Sequence, residues 1–186
     1  MNFSVLIRSG LLGGAALLLA ACGSSPHLNN APADNTVSMV YGYIDMEEAP
    51  SKLQSVTMKK LKPKSDAPYY HFWVVDGMFF RNNVPPGTYK FTQFGGFSGW
   101  KNTEYTYSFP SQGRGAFDPI IRRPGAYYVG SYKYVKIKKE SFFGQDKYNL
   151  VPVKSPSEKE LLQKMLPYAK HPHWKGMIEK RMSGLK

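Results

Sequence analysis

The chain is 186 residues long and carries 25 Lys or Arg against 13 Asp or Glu, four His and a single Cys. One cysteine excludes an intramolecular disulfide framework, a CxxC redox pair and a multi-thiolate zinc site. With 42% apolar and 15% aromatic residues it can build one core of modest size, with little room for a second domain.

At the N-terminus one positive charge, Arg8, precedes an uncharged run from Ser9 to Ala21. That run is short of the roughly 20 apolar residues a membrane-spanning helix needs. It suits the apolar region of a secretory signal, with Ala20 and Ala21 as small residues at the cleavage site. The run ends Leu19-Ala20-Ala21-Cys22-Gly23-Ser24, which resembles the lipobox of bacterial lipoproteins. The resemblance implies a signal peptide at 1–21, diacylation of the Cys22 thiol, usually acylation of the new amine, and a membrane partner held through this lipid. The alternative is a plain secretory leader with Cys22 as an ordinary small residue. Gly23, where retention at the inner membrane would call for Asp, implies the outer membrane by similarity to enterobacterial sorting, on either its periplasmic or its outer side. Residues 22–36 are rich in Pro, Asn and Ser and lack apolar periodicity, so they are expected to form a flexible tether, with His27 solvated inside it.

From 37 to 153 the apolar period is two, with turn signals at intervals of about ten residues, predicting one antiparallel β domain. Strands are expected over 37–45, 55–62, 69–75, 78–81, 88–93, 104–109, 126–138 and 147–153. Tyr89 and Phe91 alternate with Thr88, Lys90 and Thr92, and Tyr105, Tyr107 and Phe109 repeat the pattern. Asp76-Gly77 between Val75 and Met78 predicts a two-residue hairpin, because both turn positions need positive φ.

Most of the chain's Phe, Trp and Tyr lie between Tyr69 and Phe143. Filling the space between two sheets accounts for most of them. An aromatic groove for sugar or peptide is the sharper alternative, and Trp100, Tyr128, Tyr132 and Tyr134, on the opposite phase, are its candidates.

The segment Met78-Phe-Phe-Arg-Asn-Asn-Val-Pro-Pro-Gly-Thr-Tyr-Lys-Phe91 resembles the V-P-P-G-x-Y-x-F element of prealbumin-like (transthyretin-like) sandwich domains, such as carboxypeptidase regulatory-like modules. In that element the prolines stiffen the turn, Gly87 allows a change of backbone sign, and Tyr89 and Phe91 re-enter the core. The glycine-bearing strand Val40-Tyr-Gly-Tyr-Ile44 fits the opening strand of such folds. The resemblance implies a mainly β, antiparallel prealbumin-like β-sandwich that serves as a binding or scaffold module and seldom as an enzyme.

Residues 154–186 are expected to form a short two-helix tail. Ser155-Pro156-Ser157-Glu158 predicts a capping box with proline at the first helical position. Leu161, Leu162, Met165, Leu166 and Ala169 keep helical spacing until Pro167 breaks it. A second start at His171-Pro172 leads to Trp174, Met177, Ile178, Met182 and Leu185 on one stripe. The tail holds eight Lys or Arg against three Glu. Either the stripes pack on the sheet beneath a solvated basic face, or the second helix lies on anionic headgroups or phosphate-bearing lipopolysaccharide through Trp174, Lys175, Lys180 and Arg181.

Catalytic and metal motifs are thin. GxSxG, HExxH, P-loop and dinucleotide fingerprints are absent from the sequence. His171 and His173 are the one histidine pair, a weak metal candidate beside the commoner role at a helix start. Asp45, Glu47 and Glu48 suit a solvated loop; Gly95-Gly96 and Gly113-Arg-Gly115 suit turns or close approach to a ligand, and Arg122-Arg123-Pro124-Gly125 is likewise first a turn. No cofactor and no enzymatic activity are expected. An envelope protein or a cell-wall component is the expected partner, the second through surface aromatics and the basic tail. In an envelope setting nucleic acid is a poor partner despite the charge.

Overall fold

A computed structural model describes residues 28–110, 117–137 and 147–185. The lipobox with Cys22, the leader, His27 and the Gly113-Arg-Gly115 loop lie outside the described residues.

The chain is mainly β. Ten strands run in order: β1 (Ser38–Asp45), β2 (Ser55–Lys62), β3 (Tyr69–His71), β4 (Trp73–Val75), β5 (Met78–Val84), β6 (Gly87–Ser98), β7 (Thr103–Ser108), β8 (Ile120–Ile121), β9 (Ala126–Ile137) and β10 (Lys147–Pro152). Two helices follow, α1 (Glu158–Met165) and α2 (Pro172–Ser183), joined through a 3-10 turn at Leu166–Tyr168. One sheet has the order β10-β9-β1-β5-β4, and the other β3-β2-β6-β7 with β8 also paired to β6.

Alternation along each strand divides its side chains between two faces. Val40, Ile44 and Phe79 of the first sheet meet Val56, Met58, Phe91 and Phe94 of the second in an inter-sheet core. On its other face the first sheet sends Met39, Tyr41, Met78 and Phe80 to Leu161, Leu162, Met165, Trp174 and Ile178 of the helices. The molecule is therefore three-layered, with helices on one side of a sandwich. The helical stripes pack, and the expected basic face is what they leave outside.

Most strand expectations hold, and the Asp76-Gly77 hairpin turns with φ of 47° and 79° between paired Val75 and Met78. The expected strand 69–75 is instead two short strands, β3 in the second sheet and β4 in the first, and β8 falls outside the expected strands. Several details differ. The first sheet is mixed, because β1 pairs with β9 in parallel, Met39 beside Ala126 and Ile44 beside Tyr132. Gly87 lacks positive φ; the sign change falls four residues earlier at Asn83 (φ 54°). Gly87 instead permits close approach, since a Cβ there would stand 2.5 Å from the Lys62 carbonyl. The capping box lies two residues later than expected. Ser157 is the N-cap, its hydroxyl accepting from the Glu160 amide while Glu160 accepts from the Ser157 amide.

Residues 28–36 do not hang free as a tether would. Leu28 is fully buried, its amide donates to Tyr168 O and its carbonyl accepts from the His171 amide. Trp174 Nε1 donates to Asn30 O at 2.7 Å, and the Asn83 side chain bonds both Ala31 O and the Ala33 amide. Composition missed this because the anchoring groups are mostly backbone atoms, which any sequence supplies.

Candidate functional site

A recess of about 820 Å³ opens between α2 and the start of β9. One wall is Pro124, Gly125, Ala126, Tyr127 and Tyr128. The other is a single helical stripe at spacings of three and four: His173, Gly176, Met177, Lys180, Arg181 and Gly184. This stripe lies beside the buried one, so α2 uses two adjacent faces, one for the core and one for the cleft.

Local hydrogen bonds fix both walls. Tyr127 Oη donates to Arg123 O at 2.8 Å, bracing the loop before β9. Tyr128 and Ser131 share a hydroxyl contact at 2.9 Å, and Ser131 donates on to Pro156 O. With both phenols occupied, the two tyrosines offer mainly ring surface. Burial, the leading cause, raises the Tyr128 phenol above the usual tyrosine range.

Arg181 is held by Glu158 of α1, Nε to Oε1 at 2.7 Å, and the same Oε1 accepts from Tyr41 Oη at 2.6 Å. The hydrogen bond to Glu158 raises the Arg181 guanidinium further, and burial raises the Tyr41 phenol far above its ordinary range. The positive charge of Arg181 is thus committed. Lys180 is exposed, and no carboxylate lines the cleft among the described residues.

Of the residues singled out from sequence, Tyr128, Lys180 and Arg181 come together at this cleft, joined by His173. Lys175 is exposed on α2 away from it. Tyr132 and Tyr134 are 7% and 2% exposed and belong to the inter-sheet core, so they form no surface. The reason is a bulge in β9, where Gly130 has φ 111° and the register against β1 shifts between Tyr41 and Tyr43. Before it Tyr127 and Val129 face the inter-sheet core; after it Tyr132 and Tyr134 do, leaving Tyr128 on the helical side. A bulge adds one residue and so reverses the parity on which the sequence reading relied. Trp174 is likewise buried, between the helices and the first sheet, rather than offered to a surface.

Trp100 is the opposite case, 94% exposed in the turn joining β6 to β7, with Phe97 also exposed near the end of β6. His171 is the N-cap of α2, its Nδ1 accepting from the His173 amide at 3.2 Å. That is helix-start chemistry, and no cluster of three metal-ligating side chains occurs among the described residues. Of the acidic loop, Glu48 pairs with Lys133 at 3.1 Å.

The sequence reading took Pro124-Gly125 only as a turn, and missed Ala126, Tyr127 and the stripe residues Gly176 and Gly184. The three-and-four spacing of the glycines with Lys180 was the available signal, and only a second wall gives it meaning. Compared with protein families, curated proteins and solved structures, the chain matches none.

Proposed function

We propose that this chain is a lipid-anchored protein of the bacterial cell envelope, held in the outer membrane through an acylated Cys22 and acting as a non-catalytic binding or assembly module. The observation that carries the binding role is the cleft on α2: aromatic and apolar walls with a free lysine, braced by hydrogen bonds to the sandwich. The lipobox Leu19-Ala20-Ala21-Cys22 supports the anchor. Six peptide units separate Cys22 from Leu28, which is pinned to the helical layer, so Leu28 lies within roughly 20 Å of the acylated residue. Within this reading the sandwich is a prealbumin-like variant. Its support is the Val84-Pro85-Pro86-Gly87 turn feeding Tyr89 and Phe91 into the core, and it departs from that pattern in the parallel β1–β9 pair.

Cys22→Ser is expected to release the protein from membranes, and unchanged fractionation would overturn the anchor. Crosslinking of the intact lipoprotein in cells, followed by mass spectrometry, is expected to recover a stoichiometric set of envelope proteins. Recovery of cell-wall fragments alone would instead favour a second reading, glycan or peptidoglycan binding. That reading rests on the bare Trp100 indole, which projects from the sheet farther from the helical layer where the chain enters. It requires Trp100→Ala to abolish binding of cell-wall fragments.

A further inference from the structure

Gly176 occupies the interior of α2, where glycine costs helix stability relative to alanine. Close packing usually explains such a glycine, but a Cβ built at Gly176 meets nothing within 4 Å. No neighbour requires it. What its missing side chain does is leave open the middle of the cleft, between His173 and Lys180.

The chemistry along the stripe is graded. Lys180 stands two turns after His173 and one before Gly184, without an anionic partner among the described residues, and Arg122 and Arg123 are exposed just before the opposite wall. Met177, Ala126, Pro124 and the rings of Tyr127 and Tyr128 line the middle. His173 lies two turns before Lys180, about 10 Å along the axis, and its Nε2 is buried without a hydrogen-bond partner. A buried polar nitrogen left without a partner is costly. The cleft thus offers a cation and an apolar floor, with no carboxylate among its described lining residues to repel an anion.

We propose that this cleft binds a phosphate-bearing amphiphile, its head at Lys180 and its single apolar chain lying over Gly176 and Met177 toward His173. The inference deepens the binding-module reading and rests on it for the site, while the short span from Cys22 keeps Leu28, pinned to the helical layer, near lipid.

The test measures binding of dodecyl phosphate, below its micelle concentration, to the purified full chain by calorimetry, with dodecyl maltoside and inorganic phosphate as controls. Saturable binding of dodecyl phosphate is expected, with both controls weaker by at least about tenfold. Lys180→Gln should weaken dodecyl phosphate roughly tenfold and leave the maltoside unchanged, as loss of one charge-assisted contact implies. Gly176→Leu should abolish binding while the protein melts no lower than the native chain, since the added side chain enters open space. Equal affinity for the maltoside, or native affinity in both variants, overturns the proposal. If phosphate alone binds as tightly as dodecyl phosphate, the apolar half is wrong and the proposal falls. The outcome is independent of anchoring: Cys22→Ser can leave fractionation unchanged while the cleft still binds its probe, and the reverse holds equally.

Discussion

Glu158 on α1 and Arg181 on α2 form a two-point ion pair, with Nε to Oε1 at 2.7 Å and a second guanidinium nitrogen to Oε2 at 3.1 Å. Tyr41 of β1 donates to the same Oε1, so one carboxylate, its side chain 14% exposed, ties two helices to the first sheet. Planar bidentate pairing of this kind fixes orientation as well as charge. It holds Arg181, a residue of the cleft wall, against α1 and β1.

Glu158→Ala removes the acceptor shared by Tyr41 and Arg181 and leaves a buried phenol without its carboxylate acceptor. The expected loss is about 1–3 kcal/mol in chemical denaturation. Tyr41→Phe and Arg181→Met should each cost less than Glu158→Ala, and their double-mutant cycle should show coupling of about 0.5 kcal/mol or more. Additive single effects would mean that the three groups act separately.

Alkaline pH should open the sandwich. Burial is the leading cause that raises the phenols of Tyr41, Tyr89 and Tyr107 above the ordinary tyrosine value near 10. A folded-state value above the unfolded one means that the stabilisation is complete below pH about 10 and is lost as pH rises toward the folded values. Tyrosinate absorbance should therefore rise in two stages, exposed phenols first and these three together with loss of tertiary circular dichroism. A single smooth titration with the fold intact would contradict the burial.

The bulge in β9 should tolerate no side chain at its centre. Gly130→Ala places a Cβ at φ 111°, 2.7 Å from the Tyr132 ring. Left-handed strain alone costs about 1–3 kcal/mol, and displacement of Tyr132 adds to it. Thermal melting should fall accordingly; a melting point within a degree of native would show that β9 has another register available.

The two tryptophans placed by the tail and the β6–β7 turn should behave oppositely. Trp174 is wholly buried and bonded to Asn30 O, so Trp174→Ala should cost about 3–5 kcal/mol and loosen residues 28–36. Proteolysis at 28–36 would report the loosening. Trp100→Ala should change stability by no more than about 0.5 kcal/mol, because the indole touches little but solvent.

Much of the fold is written locally. Tyr89 and Phe91 alternate with Lys90 because a pleated strand has two faces, and Asp76-Gly77 turns because its residues accept positive φ. The spacing of Leu161, Leu162, Met165, Trp174 and Ile178 is helical because these residues share a buried stripe. Such patterns span a few residues and survive in the sequence alone. The parallel pairing of β1 with β9 joins segments some ninety positions apart, and no local period encodes which strands meet. The β9 bulge turns on one glycine that reads as an ordinary strand residue until its partner register is known. That single shift moves Tyr132 and Tyr134 inside and leaves Tyr128 facing α2. The cleft depends on both long-range facts. Lys180 and Gly176 acquire a role only when the loop at Pro124–Gly125 stands opposite them, a juxtaposition fixed by packing of three layers rather than by any run of residues.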